Sequence, residues 1–410
     1  MRITALCASA LLLTAPLPAV AQPSSPEEQA AAVARPAIVL VTVTWHGWVR
    51  DKQTGEVFGG TAGYDVKISC TGAVINPDGY VATASHCVHT GALGGSGFLF
   101  DVAIGELAKV GRIGDPAKAK QAFADHAVAE GAVADRPVDR QIQVERMVPD
   151  GDGQKRDVAP ATVVDLVAPD GGDVAVLKIP RDRLPALELR TDPPPVGTPI
   201  LAIGYPASTE STVDPNLEPS NKNGQISAQR TLQGHPFYEF SAAATHGMSG
   251  GPVVDMQGRI VGLISQGTPG ETQSFNFASA TANLTDVLHG KEVTAELGPH
   301  DRNYRTGLDR YFAGNFNAAV DYFDAVVAGA PSNLPAAEYR RLAAGKGGSP
   351  TASTGPLVVI AVSCVAAALL TGAFGAFLIV RRRRAVSLMD TPPHGFPLPL
   401  EDQPTRPSTS

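Results

Sequence analysis

From residue 37 to about residue 290 the chain consists of short apolar or alternating runs, each ended by a turn. AIVLVTVTW (37–45), VKISCTGAVI (66–75), ATVVDLVA (161–168), DVAVLKI (173–179), PILAIGY (199–205) and RIVGLIS (259–265) are rich in Val and Ile. Branching at Cβ stiffens these side chains and suits them to a pleated, half-buried surface. NPDG at 76–79, PDGG at 169–172 and DMQG at 255–258 supply the turns. That pattern is the signature of an all-β sandwich or barrel. One stretch departs from it. Asp115-Pro116 offers an N-cap followed by proline at the first helical position, and AKAKQAFADHAVAEGA after it is alanine-rich. A helical insertion is expected over about 115–135.

The two ends carry targeting signals. Residues 1–21 read as a secretory signal peptide: Arg2 gives the positive start, an apolar run fills 5–15, and Ala19-Val20-Ala21 is an A-x-A cleavage site. The mature chain then starts at Gln22, with 22–36 as an N-terminal linker. Residues 357–380 contain no charge, and a helix rising about 1.5 Å per residue over this length covers a hydrocarbon layer of about 30 Å. Arg381 to Arg384 follow directly and place that end in the cytoplasm. A single-pass cell-membrane protein of bacterial type is expected, with its main domain outside and a Pro-rich tail, 381–410, inside.

Residues 292–344 change to helical spacing. Tyr304, Leu308, Tyr311 and Phe312 share one face, and Phe316, Ala319, Val320, Phe323 and Val327 share another after Gly314. The series Tyr304, Gly307, Tyr311, Gly314, Phe316, Ala319, Phe323, Pro331 resembles one tetratricopeptide repeat. A single helix pair cannot bury its apolar face alone, so 302–344 should pack on the β domain or on a protein partner. GKGGSPTASTGP, 345–356, is a flexible linker.

The net charge of −7 and the lack of a basic patch in any folded stretch exclude nucleic acid as a partner. No histidine pair has helical ligand spacing, so neither a metal nor another cofactor is expected. Export permits a disulfide between Cys70 and Cys87, whose loop is worth about 3 kcal/mol by chain entropy. It would pin the base of a hairpin beside His86.

Three segments bear chemistry: CTGAVINPDGYVATASHC (70–87), DVAVLK (173–178) and THGMSGGPV (245–253). A serine hydroxyl needs a base, a histidine suits that task near neutral pH, and a buried carboxylate fixes its tautomer. Glycines around the serine let a carbonyl approach backbone N–H donors.

TASHC around His86, DVAVLK around Asp173 and GMSGGPV around Ser249 resemble the three signatures of trypsin-like (chymotrypsin-fold) serine proteases. GAVINPDGYVATASH and FNFASATANLTDVL are closest to the bacterial HtrA/Deg-type branch. The resemblance covers about 37–290 and implies a mainly β fold of two antiparallel barrels, followed here by a small helical hairpin segment and the membrane helix. It implies His86 as general base and acid, Asp173 as its orienting partner and Ser249 as nucleophile. The backbone N–H groups of Gly247 and Ser249 would form the oxyanion hole. Ala243 falls at the floor of the primary specificity pocket, and Ser265, Gln266 and Gly267 on the strand that pairs with substrate backbone. Without an acid at 243, a small or medium apolar residue is expected before the cleaved bond, rather than Lys or Arg. Met248 stands where trypsinogen-type enzymes have an aspartate, so activation by an N-terminal salt bridge is not expected.

The expected substrates are proteins or peptides outside the membrane. Two other classes of function compete. GMSGG also fits the G-x-S-x-G of an α/β-hydrolase esterase, which requires acid and histidine after the serine. A non-catalytic binding or sensor protein on a protease scaffold would be favoured by loss of a triad residue, and all three are present.

Overall fold

A computed structural model describes residues 25–151, 153–207, 217–267 and 276–348. The stretches expected to be a signal peptide (1–21), a membrane helix (357–380) and a cytoplasmic tail (381–410) lie outside the described residues. Among those described, no helix is long and apolar enough to cross a membrane.

The first half of the domain is a nine-stranded antiparallel sheet. Its strands are β1 (Ile38–Asp51), β2 (Val57–Phe58), β3 (Tyr64–Asn76), β4 (Tyr80–Thr83), β5 (Ala127–Glu130), β6 (Asp139–Asp150), β7 (Gly153–Pro160), β8 (Thr162–Val167) and β9 (Val174–Lys178). The main path runs β7-β6-β1-β3-β4-β9-β8, with β2 and β5 pairing on β1. The resemblance implies a closed barrel here, and the sheet instead has β7 and β8 at its two ends. The two are almost one strand, because only Ala161 separates them. The first half pairs with β6 and the second with β9. Pro160, which has no N–H to donate, marks the point where the run leaves one edge for the other. Closure thus comes from sharing one strand rather than from a ladder.

The second half is a closed barrel in the order β10-β11-β12-β15-β14-β13. It comprises β10 (Pro199–Gly204), β11 (Ser220–Leu232), β12 (His235–Phe240), β13 (Pro252–Asp255), β14 (Ile260–Gly267) and β15 (Asn276–Ala280). Ile200, Ile226, Phe240, Val253, Ile264 and Ala278 fill it. Both halves are built of antiparallel pairs, so the esterase alternative lacks the parallel scaffold its motif requires.

Helices decorate this frame. The stretch read as the linker 22–36 holds α1 (Pro26–Ala34). Ser25 caps it by accepting from Glu28 N–H at 3.1 Å, Pro26 opens it, and Glu27 and Glu28 sit in the first turn. The expected insertion is larger than 115–135. It contains α2 (Gly95–Lys109) as well as α3 (Pro116–His126), and Ala127–Glu130 is strand β5. Asp115 caps α3 through Ala117 and Lys118. α2 escapes a sequence reading because three glycines crowd its start, at 94, 95 and 97. They are required by packing: a Cβ at Gly95 would stand 2.4 Å from the buried Trp45 ring.

After α4 (Thr281–His289) come α5 (Pro299–Phe312), α6 (Phe316–Gly329) and α7 (Leu334–Gly345). Tyr304, Leu308, Val320 and Phe323 bury the shared face, and Ala32 of α1 joins the same cluster. This helical unit is fastened to the strip of chain between the two halves. Ala186 N–H donates to Asp301 at 3.0 Å, and Arg305 lies 3.8 Å from Glu188. The same strip bonds to β3 through Leu187 N–H and Val74 O, and to β14 through Ile260 N–H and Glu188 O. One short segment therefore touches both sheets and α5.

Candidate active site

The hairpin β3–β4 carries His86 to the end of its return strand. A 3-10 turn, Ser85–Cys87, follows β4 and turns the histidine out of the sheet. The Cys70–Cys87 disulfide ties that turn back to β3. The His86 side chain is 24% exposed, enough to meet a substrate. Replacing both cysteines by serine is expected to remove about 3 kcal/mol of stability, read by denaturant titration. The two sulfurs lie close to the His86 ring, but their bond to each other removes the thiolates a metal would need.

Asp173 lies just ahead of β9 and is 2% exposed. Its φ is +52°, a left-handed conformation that Asp tolerates better than most residues. Four donors converge on its carboxylate. Oδ2 lies 2.8 Å from His86 Nδ1 and accepts from Ser265 Oγ at 2.5 Å. Oδ1 accepts from His86 N–H at 2.9 Å and from Ser85 Oγ at 3.1 Å. Burial by itself would push this carboxyl up, but the neighbouring His86 charge and these hydrogen bonds hold it below its ordinary value of 3.8. For His86, burial opposes the imidazolium, yet the Asp173 charge and hydrogen bond raise its pKa above the ordinary 6.5. Such a buried, fully satisfied pair fixes the tautomer with the proton on Nδ1 and leaves Nε2 as an acceptor.

Ser249 stands in the tight turn after the second barrel's β12. Gly247 has φ +91° and Gly250 has φ +79°, which glycine adopts without strain. Met248 points the other way and is buried among the barrel residues. It anchors the turn where an acid would have to be buried unpaired. Three contacts fix Ser249 against the histidine segment. Its carbonyl accepts from Thr71 N–H at 2.8 Å, next to the disulfide residue Cys70. Gly250 N–H donates to Ile264 O at 2.7 Å, next to Ser265. A Cβ on Gly250 would stand 2.5 Å from Ala84 N, two residues before His86. The turn thus lies against the segments that carry Ser85, His86 and Ser265. No hydrogen bond links the Ser249 hydroxyl to the His86 ring among the described residues. In ligand-free enzymes such contacts commonly tighten only around substrate. The amide N–H groups of Gly247 and Ser249 have no acceptor among the described residues, while Met248 N–H is bonded to Thr245 O at 3.0 Å.

The structure also places the other expected residues. Ala243 is exposed, beside the buried Ala242. Ser265, Gln266 and Gly267 end β14, where Gly267 pairs with Asn276. Ser265, expected on a substrate strand, is buried and spends its hydroxyl on Asp173. Thr71 is a second residue that motif reading passes over. Its Oγ1 donates to Gly247 O at 2.8 Å and accepts from Tyr205 N–H at 2.9 Å, which ties the Gly247–Ser249 turn to the chain at Tyr205. Neither role has a sequence signal, because each depends on which backbone the fold brings alongside.

Residues 70–263 match the family model of the trypsin-like peptidase domain, and this span contains His86, Asp173 and Ser249. A probable periplasmic serine endoprotease of DegP-like type from Hahella chejuensis is 36% identical over 95 residues. That alignment takes in 23% of this chain and 19% of the relative, so the match spans about a fifth of the relative's length. Among solved structures, the serine endoprotease of Yersinia pestis is 21% identical, with a TM-score of 0.38 over 66% of this chain and 67% of that one. The Rv3671c protease of M. tuberculosis, in its active form, is 18% identical, with a TM-score of 0.38 over 71% and 97%.

Proposed function

We propose that this chain is a serine endopeptidase of the HtrA-like branch that cleaves extracytoplasmic proteins or peptides through an acyl-enzyme. The observation that carries the reading is the convergence of His86, Ser85 and Ser265 on one buried carboxylate, with the Ser249 turn fastened beside them. In the reaction, His86 Nε2 takes the Ser249 proton as Oγ attacks the peptide carbonyl. The N–H groups of Gly247 and Ser249 receive the oxyanion. The imidazolium, held by Asp173, then passes its proton to the leaving amine. Water repeats the sequence and frees Ser249. An alanine rather than an acid at position 243 supports an apolar residue before the cleaved bond.

The charge-free run 357–380 followed by four arginines supports a membrane tether that holds this activity at the outer face. The Hahella chejuensis relative is a probable periplasmic enzyme, which supports export. The test is direct. A fluorophosphonate probe should label the exported part of the chain on the peptide that contains Ser249, and Ser249→Ala should abolish labelling. Labelling that persists in the variant would reject the nucleophile and with it the mechanism.

A further inference from the structure

Asp173 meets His86 from a backbone that most residues avoid. Its φ of +52° lies in the left-handed region, and Gly172 before it has φ +140°. The peptide between these two residues sets where the Asp173 Cβ, and so its carboxylate, stands. Left to itself, that peptide would turn towards an ordinary conformation, and glycine at 172 has no Cβ to resist the rotation. Bonds at both of its ends oppose the turn. Asp173 N–H donates to Ala168 O at 3.2 Å, within the same loop.

The other bond comes from the second barrel. Gly172 O accepts from the hydroxyl of Ser279, a residue of β15 that lies 107 positions further along the chain. Asn283, in the first turn of α4, donates from Nδ2 to Ser279 Oγ at 2.9 Å and to Pro236 O at 3.0 Å. A serine hydroxyl has one hydrogen to give, so a donor on its lone pair directs that hydrogen at the Gly172 carbonyl. Asn283 also packs over the peptide: a Cβ on Gly172 would stand 3.4 Å from its Cγ. Ser279 is fully buried and Asn283 is 2% exposed, so bulk water does not stand in for either group.

We infer that Ser279, oriented by Asn283, is a positioning residue of the proposed triad: it holds the Gly172–Asp173 peptide so that the carboxylate meets His86 Nδ1. This rests on the serine endopeptidase reading above. The paired strands β14 and β15 each send one serine to this segment. Ser265 takes the carboxylate, and Ser279 takes the backbone behind it. The half of the domain that carries Ser249 thereby also fixes the acid of the other half.

The experiment measures how fast the fluorophosphonate probe labels Ser249 in the full chain as pH is varied. The proteins are the parent, Ser279→Ala, Ser279→Thr and Asn283→Ala, each made with Asp173 intact and with Asp173→Asn. With Asp173 intact, Ser279→Ala should label about tenfold more slowly on the high-pH plateau, the scale of a carboxylate displaced by less than about 1 Å. Its pH limb should move to lower pH, because His86 loses part of the charge that raises it. Ser279→Thr restores the hydroxyl and should recover most of the rate. Asn283→Ala leaves the hydroxyl free to turn and should cost about threefold. With Asp173→Asn in place, Ser279→Ala should change the rate by less than about twofold, since no carboxylate is left to position. A parent-like rate and limb in Ser279→Ala would overturn the inference. So would an equal loss in both backgrounds, which marks a general effect on packing. If Ser279→Ala does not fold, Asn283→Ala decides: a loss that vanishes with Asp173→Asn supports the inference, and a loss that persists overturns it. A parent whose Ser249 peptide takes no probe would instead sink the protease reading and the inference with it.

Discussion

Asp173→Asn should lower kcat about 10⁴-fold, the loss expected when a triad histidine is held in the wrong tautomer. Asn is the right replacement because it tolerates the left-handed backbone at this position as well as Asp does. The comparison therefore tests charge rather than strain. An amide can donate to Nδ1 and drive the histidine proton to Nε2, where it blocks the base. The pH profile should change as well. In the parent the carboxylate holds His86 above 6.5, so activity should rise with pH along a limb centred above that value. Without the charge, burial dominates and the limb should move to lower pH. Stability follows by linkage. His86 has a raised pKa, so its contribution is complete below 6.5 and is lost as pH climbs through the folded value. Asp173 has a lowered one, so its contribution is complete above 3.8 and is lost as pH falls through the folded value. The parent's advantage over the variant should peak between these two pH values in denaturant titrations. A variant with unchanged kcat and pH limb would show that the pair is only structural.

The second large effect should come from Gly250→Ala. A methyl there would stand 2.2 Å from Thr83 Oγ1 and 2.4 Å from the Thr71 carbonyl oxygen, at φ +79°. Thr83 is fully buried and its hydroxyl already donates to Thr71 O at 2.7 Å, so it has nowhere to move. Strain at a left-handed position and a clash with backbone act together, and about 3–5 kcal/mol of destabilisation is expected by denaturant unfolding. Whatever fraction still folds must displace the Ser249 turn, and a shift of about 1 Å costs roughly a hundredfold in rate. A stable, fully active variant would mean that the turn is not held as described.

What the sequence could and could not disclose follows from the range of each interaction. His86, Asp173 and Ser249 stand out as candidates because each sits in a local motif: Cys87 beside the histidine, a turn before the aspartate, glycines around the serine. The Val- and Ile-rich runs likewise announce strands, since alternation is a local property. Ser265 and Thr71 were not legible as partners, because their hydroxyls act on groups 92 residues and 176 residues away. α1 lies in the expected linker 22–36: its buried residues are all alanines, and Ala30 and Ala34 are fully buried. Small residues mark close approach of another element, and only the fold says which. The closing of the first sheet through a shared strand at Pro160 and Ala161 is equally invisible, for the same two residues also suit an ordinary turn.

The strip between the two sheets has a practical meaning for anyone who wishes to express the hydrolytic part alone. Cutting at residue 290, just after α4, would strip Ala186 of its acceptor and remove Arg305 from beside Glu188. It would also free Asn76 and Ile75, which bond to Thr294 and Glu296. A fragment that keeps these bonds therefore runs on to the last turn of α7, with α1 retained at the other end.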